Sequence, residues 1–273
     1  MSRNNLLGWA FVFPAVILIT AFLIYPTIRT IQLSFDTGLG FTTSEYVGLE
    51  NYSNLFTRDR FFFDIDQFPP RGAVFNTIIW LGLFTVGTVG IGLVVAVLAN
   101  AVRYEVLIKT IIFIPMAISF TAAGIIWRFV YSPDEKTGIL NAILVGLIPS
   151  TDPIPWLGRI DIVNVALIIA GIWIWTGFCM VILSAALKGL PQEVMEAAHV
   201  DGANSWQTFW RITIPMLLPT ISVITTTMII NVLKAFDIVY IMTAGGPRGA
   251  SRIIGFTMYW ETFQNGKPGY GAA

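Results

Sequence analysis

Three polar side chains stand at even intervals in a run that is otherwise apolar: Asn231, Lys234 and Asp237, at i, i+3 and i+6. On one helix, consecutive members of such a set are surface neighbours. An amide, an ammonium and a carboxylate so placed can bind hydroxyl groups or neutralise one another. A lysine isolated at the centre of a span costs about 2.5–3.5 kcal/mol on insertion scales. Lys234 is therefore expected to face protein or water and to pair with Asp237. Two readings stay open: a polar patch lining an aqueous path, or a buried pair that only locks two helices together. The preceding apolar run adds Trp173, Trp175 and Thr176. Indole faces suit rings whose C–H faces are apolar, although tryptophans near span ends also anchor to lipid headgroups.

Catalytic chemistry is not visible in the sequence. No G-x-x-x-x-G-K-[ST] phosphate loop is present, so this chain is not expected to bind ATP itself. Gly87, Gly90 and Gly92 lack the strand–turn–helix setting of a nucleotide loop and read as a small-residue ridge, with Ala96, for close helix packing. No His/Cys/carboxylate cluster has metal-ligand spacing, and no nucleophile sits beside a base. No catalytic residue, metal or cofactor is expected on this polypeptide. The one cysteine, Cys179, lies in an apolar run and reads as core, and His199 has no second ligand type near it.

The elements that must position these residues are membrane helices. Of 273 residues, 55% are hydrophobic and only 12% charged, against about 25% charged in soluble domains. Mean hydropathy is +0.74. Net charge is zero, which argues against a polyanionic partner. The fold class expected is an all-α polytopic membrane protein forming one domain. A span needs about 20 apolar residues, and five runs qualify, near 6–28, 75–101, 107–130, 163–187 and 213–241. The first reads as a retained helix, since a signal peptide has a shorter apolar core. Pro115 should kink the third. The loops at 29–73, 131–162 and 244–273 fall on one face. Phe61, Phe62 and Phe63 in the first of them ask for burial, and 137–151 is too short to cross and should lie at the interface.

One polar stretch, residues 188–212, is built unlike a connector. Pro191 can open a helix and Glu193 suits its N-terminal end. Asp201-Gly202 supplies a break, and a second short segment, 204–210, carries Trp206, Phe209 and Trp210 on one face. Pro215 and Pro219 then mark entry to the next apolar helix.

Glu196-Ala197-Ala198, Asp201-Gly202-Ala203, Ile212, Pro215 and Pro219 together resemble the EAA signature of bacterial ABC-importer permease subunits, in particular the carbohydrate-importer group. The resemblance spans most of the chain. It implies a type I ABC-importer helical bundle in a bacterial or archaeal cytoplasmic membrane, with five spans present here and a sixth expected beyond Ala273. It implies that the loop 188–212 faces the cytoplasm, with the N-terminus, and docks into an ATP-hydrolysing subunit. It also implies the partners: two copies of that subunit with its ATP and magnesium, a second homologous permease and an extracytoplasmic solute-binding protein. Positive charge supports this orientation weakly, because five cations on roughly 40 inner residues face ten on roughly 110 outer ones. In related sugar permeases the fourth and fifth spans contribute to the substrate cavity, which casts Asn231, Lys234, Asp237, Trp173, Trp175 and Thr176 as path residues. An oligosaccharide such as an α-glucoside is the expected cargo. The alternatives are another ABC-imported solute (a polyamine, a phosphorylated polyol or an amino acid) or an ion-coupled secondary carrier, though no inverted repeat is evident.

Overall fold

A computed structural model describes residues 3–38, 45–66, 68–134, 136–148 and 150–273, so short parts of the loops expected at 29–73 and 131–162 lie outside the described residues. The chain divides into two compact units, residues 1–64 with 257–273, and residues 65–256. Among the described residues four helices are long and apolar enough to cross a membrane, or five if one bent pair is a single span.

In the first unit, α1 (Arg3–Ile19) continues through a π-turn at Thr20–Ile24 into α2 (Tyr25–Leu33). Pro26 has no N–H to give to the preceding turn, which the wider turn accommodates. The helix outruns the expected end near residue 28 because its polar side chains fold back on it. Thr27 and Thr30 hydroxyls donate to the carbonyls of Leu23 and Pro26, and Arg29 donates to Gln32. The following α3 (Glu50–Thr57) is tied back by Asn51, which donates to the carbonyls of Ser34 and Asp36. Phe62 and Phe63 pack edge-on against Phe56, whereas Phe61 remains half exposed.

The second unit is organised by α4 (Ala73–Asn100) and α8 (Val163–Lys188). They run parallel and in register. Asn164 meets Asn76 at one end and Ser184 meets Asn100 at the other. Between those ends the expected small-residue ridge is used at three of its four positions. A Cβ on Gly87 would lie 2.6 Å from Ile172, and one on Gly92 would lie 2.6 Å from Cys179. Ala96 is fully buried, but Gly90 faces open space. Cys179 is buried in this interface.

The third span expected over 107–130, with a kink at Pro115, is broken outright into two helices. α5 (Glu105–Phe113) ends in a 3₁₀ turn at Ile114–Ala117, and α6 (Phe120–Val130) leaves it at 102°. Pro115 cannot continue the α-helical ladder, and the Ser119 hydroxyl accepts the Ala122 N–H to start the new helix. The short α7 (Ile139–Leu147) fills the stretch expected to lie at the interface.

After α8 comes α9 (Gln192–Val200), then α10 (Ser205–Thr208), which passes through a π-turn at Phe209–Thr213 into α11 (Ile214–Leu233). The second half of the polar loop is thus not a separate helix. It is the first part of one continuous helix, Ser205–Leu233. This helix stops short of the expected end near residue 241. The chain breaks over Lys234–Phe236 and restarts as α12 (Asp237–Thr243). Gly255 packs against this break, where a Cβ would sit 2.7 Å from the Ala235 carbonyl, so the close approach asks for glycine. The break is further held by Phe236, whose ring stacks on Tyr240 and Phe256. The chain closes with α13 (Ile254–Tyr259) and α14 (Pro268–Ala272).

Candidate functional site

Two features carry the chemistry expected of the chain, an exposed knob and an internal cavity.

The knob is built locally. Pro191 caps α9 and Glu193 lies in its first turn. Gly202 has φ +79 with nothing near the position of a Cβ, so the left-handed backbone, rather than space, asks for glycine there. Across this bend the Ala203 N–H reaches back to the Ala198 carbonyl at 3.0 Å. Asn204 and Gln207 then close a reciprocal capping box on α10. Ala198 is buried beneath the bend, while Glu196, Ala197, Asp201 and Gly202 are exposed and Ala203 is half-buried. Gln192 donates to Glu196 at 2.7 Å, which presents the carboxylate on the outer face of α9. Trp206 and Trp210 meet edge to face at 5.6 Å yet stay 70% and 51% exposed, beside Val200 at 87%. Exposed tryptophans packed on each other and, for Trp210, on Phe209 are the composition of a protein-binding surface. Ile212 is half-buried within the π-turn and Pro215 opens α11. Behind the knob lies a groove of about 510 Å³ between the ends of α4 and α8 and the inner faces of α9 and α10, where His199 is found.

The cavity lies at the break after α11 and has a volume of about 210 Å³. Trp175, Asn231, Lys234 and Asp237 all line it. The break, not a continuous helix face, brings the last three together. Lys234 and Asp237 are exposed residues, and among the described residues no ion pair or hydrogen bond joins them, contrary to the expected pairing. Trp173 and Thr176 do not line the cavity. Trp173 points the other way, edge-on to Trp127 at 5.8 Å, and the Thr176 hydroxyl is spent on the Ile172 carbonyl.

The remaining wall was not anticipated and is largely aromatic, with Trp80, Phe84, Phe120 and Phe236 beside the aliphatic Val232 and Ile238. Trp80 and Phe84 are one helical turn apart, a spacing visible in the sequence. Gly171 lets both rings close on α8, since a Cβ there would be 3.0 Å from Phe84. Phe120 offered no such signal. It reaches Trp175, at 6.2 Å between ring centres, only because α6 turns away at the break. An aromatic slot with an amide, a cation and a carboxylate at its mouth can hold a flat or ring-shaped polar solute.

Comparison with known proteins places this geometry. A family described as "Binding-protein-dependent transport system inner membrane component" matches residues 88–266. The chain is similar to the osmoprotective compounds uptake permease protein GgtC of Synechocystis sp., at 48% identity over 93% of this chain and 86% of that protein. It is also similar to the alpha-glucoside transport system permease protein AglF of Rhizobium meliloti, at 39% identity over 99% of this chain and 77% of that protein. In fold it resembles a chain in the crystal structure of a bacterial ABC transporter for the acidic polysaccharide alginate. The TM-score is 0.81 at 24% identity, covering 99% of this chain and 88% of that one.

Proposed function

Because the chain belongs to the family of binding-protein-dependent transport system inner membrane components, we infer that it is the permease subunit of an ATP-driven importer that carries a sugar into the cell. The chain itself serves transport, not catalysis. ATP and magnesium would be held by two copies of a cytoplasmic ATP-binding subunit. The remaining partners would be a second, homologous permease and an extracytoplasmic solute-binding protein, with the N-terminus of this chain in the cytoplasm.

One observation carries the reading. The α10 half of the exposed knob runs without interruption into the span that ends at the cavity. A partner that grips the knob and moves it therefore pulls on the helix that bears Asn231. Closure of the ATP-bound dimer would draw the knobs of two permeases together and turn the cavity outward. ATP release would reverse this. The two global states differ in which side the cavity faces, and ATP contributes only through contacts that differ between them.

A sugar fits the aromatic walls of Trp80, Phe84, Phe120 and Trp175, with Asn231, Lys234 and Asp237 left to meet its hydroxyls. The alpha-glucoside permease among the relatives supports a glycoside. The cavity, at about 210 Å³, lies below the 300–1,000 Å³ range of ordinary ligand sites. That favours a compact solute of one or two rings over a long oligosaccharide.

The test is topological and functional together. Glu196→Cys in intact cells should resist a membrane-impermeant thiol reagent and react once the cytoplasmic face is opened. The complex purified through this chain should bring an ATPase with it and take up sugar only with ATP. Labelling of Glu196→Cys from outside, or uptake without a copurifying ATPase, would overturn the reading.

A further inference from the structure

Lys109 sits at the root of the knob with no part in either the knob or the cavity. Its ammonium has three protons to donate, and three acceptors on three elements receive them. These are Asn100 Oδ1 at 2.7 Å on the last residue of α4, Glu105 on the first turn of α5 and the Ser184 hydroxyl in the last turns of α8. Ser184 is 2% exposed and in turn donates to Asn100 at 2.7 Å. Glu105 also pairs with Lys188, the final residue of α8. Every donor of a mostly buried cation is satisfied, so removing the ammonium takes one donor from each of Asn100 and Ser184 at a site where the Lys109 side chain is only 18% exposed.

The location matters more than the bond count. Lys188 is followed by Gly189, Leu190 and Pro191, and then by α9 itself. The network therefore clasps α5 to the residue from which the knob departs. Farther along, α5 is held to α8 a second time. Gly177 lets the backbone of Ile112 and Phe113 come so near that a Cβ would be 2.6 Å from the Ile112 carbonyl. Past that contact lies the bend, and just beyond the bend lies Phe120, which lines the cavity.

Building on the permease reading above, we propose that Lys109 is a positioning residue for transport: it makes α5 travel with the base of the knob, so that motion imposed on the knob arrives at the bend and shifts Phe120 against Trp175. This second route to the cavity is separate from the continuous helix Ser205–Leu233. Its elements are rigid pieces joined by a saturated polar clasp, which is the kind of contiguous connection through which coupling can pass.

The test uses the assembled transporter in proteoliposomes with its ATPase and binding protein, measuring sugar uptake and ATP hydrolysis on the same preparation. Lys109→Met should lower uptake by about tenfold while hydrolysis stays within about twofold, so that fewer sugars enter per ATP. Lys109→Arg, which keeps the charge and several donors, should recover most of the uptake. Glu105→Gln should show the same split at smaller size. A clasp that merely stabilises the fold would lower both rates together or lower the yield of complex. Parallel losses, unchanged uptake per ATP, or failure of all three variants to assemble would each overturn the proposal. Hydrogen exchange supplies a readout independent of transport. Residues 105–113 should exchange faster in Lys109→Met than in the unmodified chain, and equal protection would also overturn it. Absence of ATP-dependent uptake in the unmodified complex would instead sink the permease reading and leave the exchange result to judge the clasp.

Discussion

Trp80 donates its indole N–H to the side-chain oxygen of Asn164 at 3.4 Å. Through this long bond one wall of the cavity hangs on a polar clamp. The Asn164 amide donates to Asn76 at 2.9 Å and to the Ala250 carbonyl at 2.7 Å, and the Asn76 amide donates to the carbonyls of Ala250 and Arg252. Two asparagines on two parallel helices thereby hold the glycine-rich turn after α12 by its backbone carbonyls.

Asn76 is 7% exposed and makes three of these five bonds with one side chain. Asn76→Ala leaves the Arg252 carbonyl and the Asn164 amide each without a bond it had, at a cost of about 1–3 kcal/mol. The purified complex should melt several degrees lower, and protease sensitivity should rise within 244–252. A melting temperature equal to that of the unmodified protein would show that the clamp carries no stability.

The glycines of α4 offer an internal control. Gly92→Ala forces a methyl group against Cys179 and the backbone of Met180 and should destabilise by about 1–3 kcal/mol. Gly90→Ala meets nothing within 4 Å and should be neutral or slightly stabilising. Thermal unfolding of the two variants side by side checks the assignment of the ridge, and equal melting temperatures would contradict it.

Trp175 and Trp173 are two residues apart and face different surroundings. Trp175→Ala and Trp80→Ala should raise the KM for uptake by about tenfold, the value of one lost ring contact of roughly 1.4 kcal/mol. Trp173→Ala removes a packing partner of Trp127 and should lower the melting temperature with KM unchanged. A KM effect from Trp173→Ala equal to that from Trp175→Ala would remove the cavity as the sugar site.

Gly202→Pro and the pair Trp206→Ala and Trp210→Ala probe the knob by different physics. Proline cannot take up φ +79, so the bend between α9 and α10 must rearrange. The alanines keep the backbone and delete exposed aromatic area, which at a protein interface is worth about 1–3 kcal/mol per hot-spot side chain. Both should abolish or strongly weaken copurification of the ATPase while membrane insertion is retained. Normal copurification with both would separate the knob from ATPase binding.

The parts of this protein legible in its sequence are those whose causes are local. Pro191, Asp201-Gly202 and the Asn204 cap each set the backbone within a few residues, so the shape of the knob follows from neighbours along the chain. Hydropathy likewise marks where chain can enter a membrane, because span length is a property of composition. The cavity has no such local cause. Leu233 is followed by a break against which Gly255, some twenty positions away, fits because it has no Cβ to meet the Ala235 carbonyl, and nothing in the residues around Lys234 announces that neighbour. Trp175 rather than Trp173 lines the cavity because α4 and the bend after α5 approach that side of α8. Lys109 reads in sequence as one cation in a basic turn, one helical turn after Glu105, and only folding brings the acceptors of two further helices to its ammonium. Interaction partners distant in sequence were chosen by packing, since each helix can bury its surface against several neighbours and only the assembled set decides which.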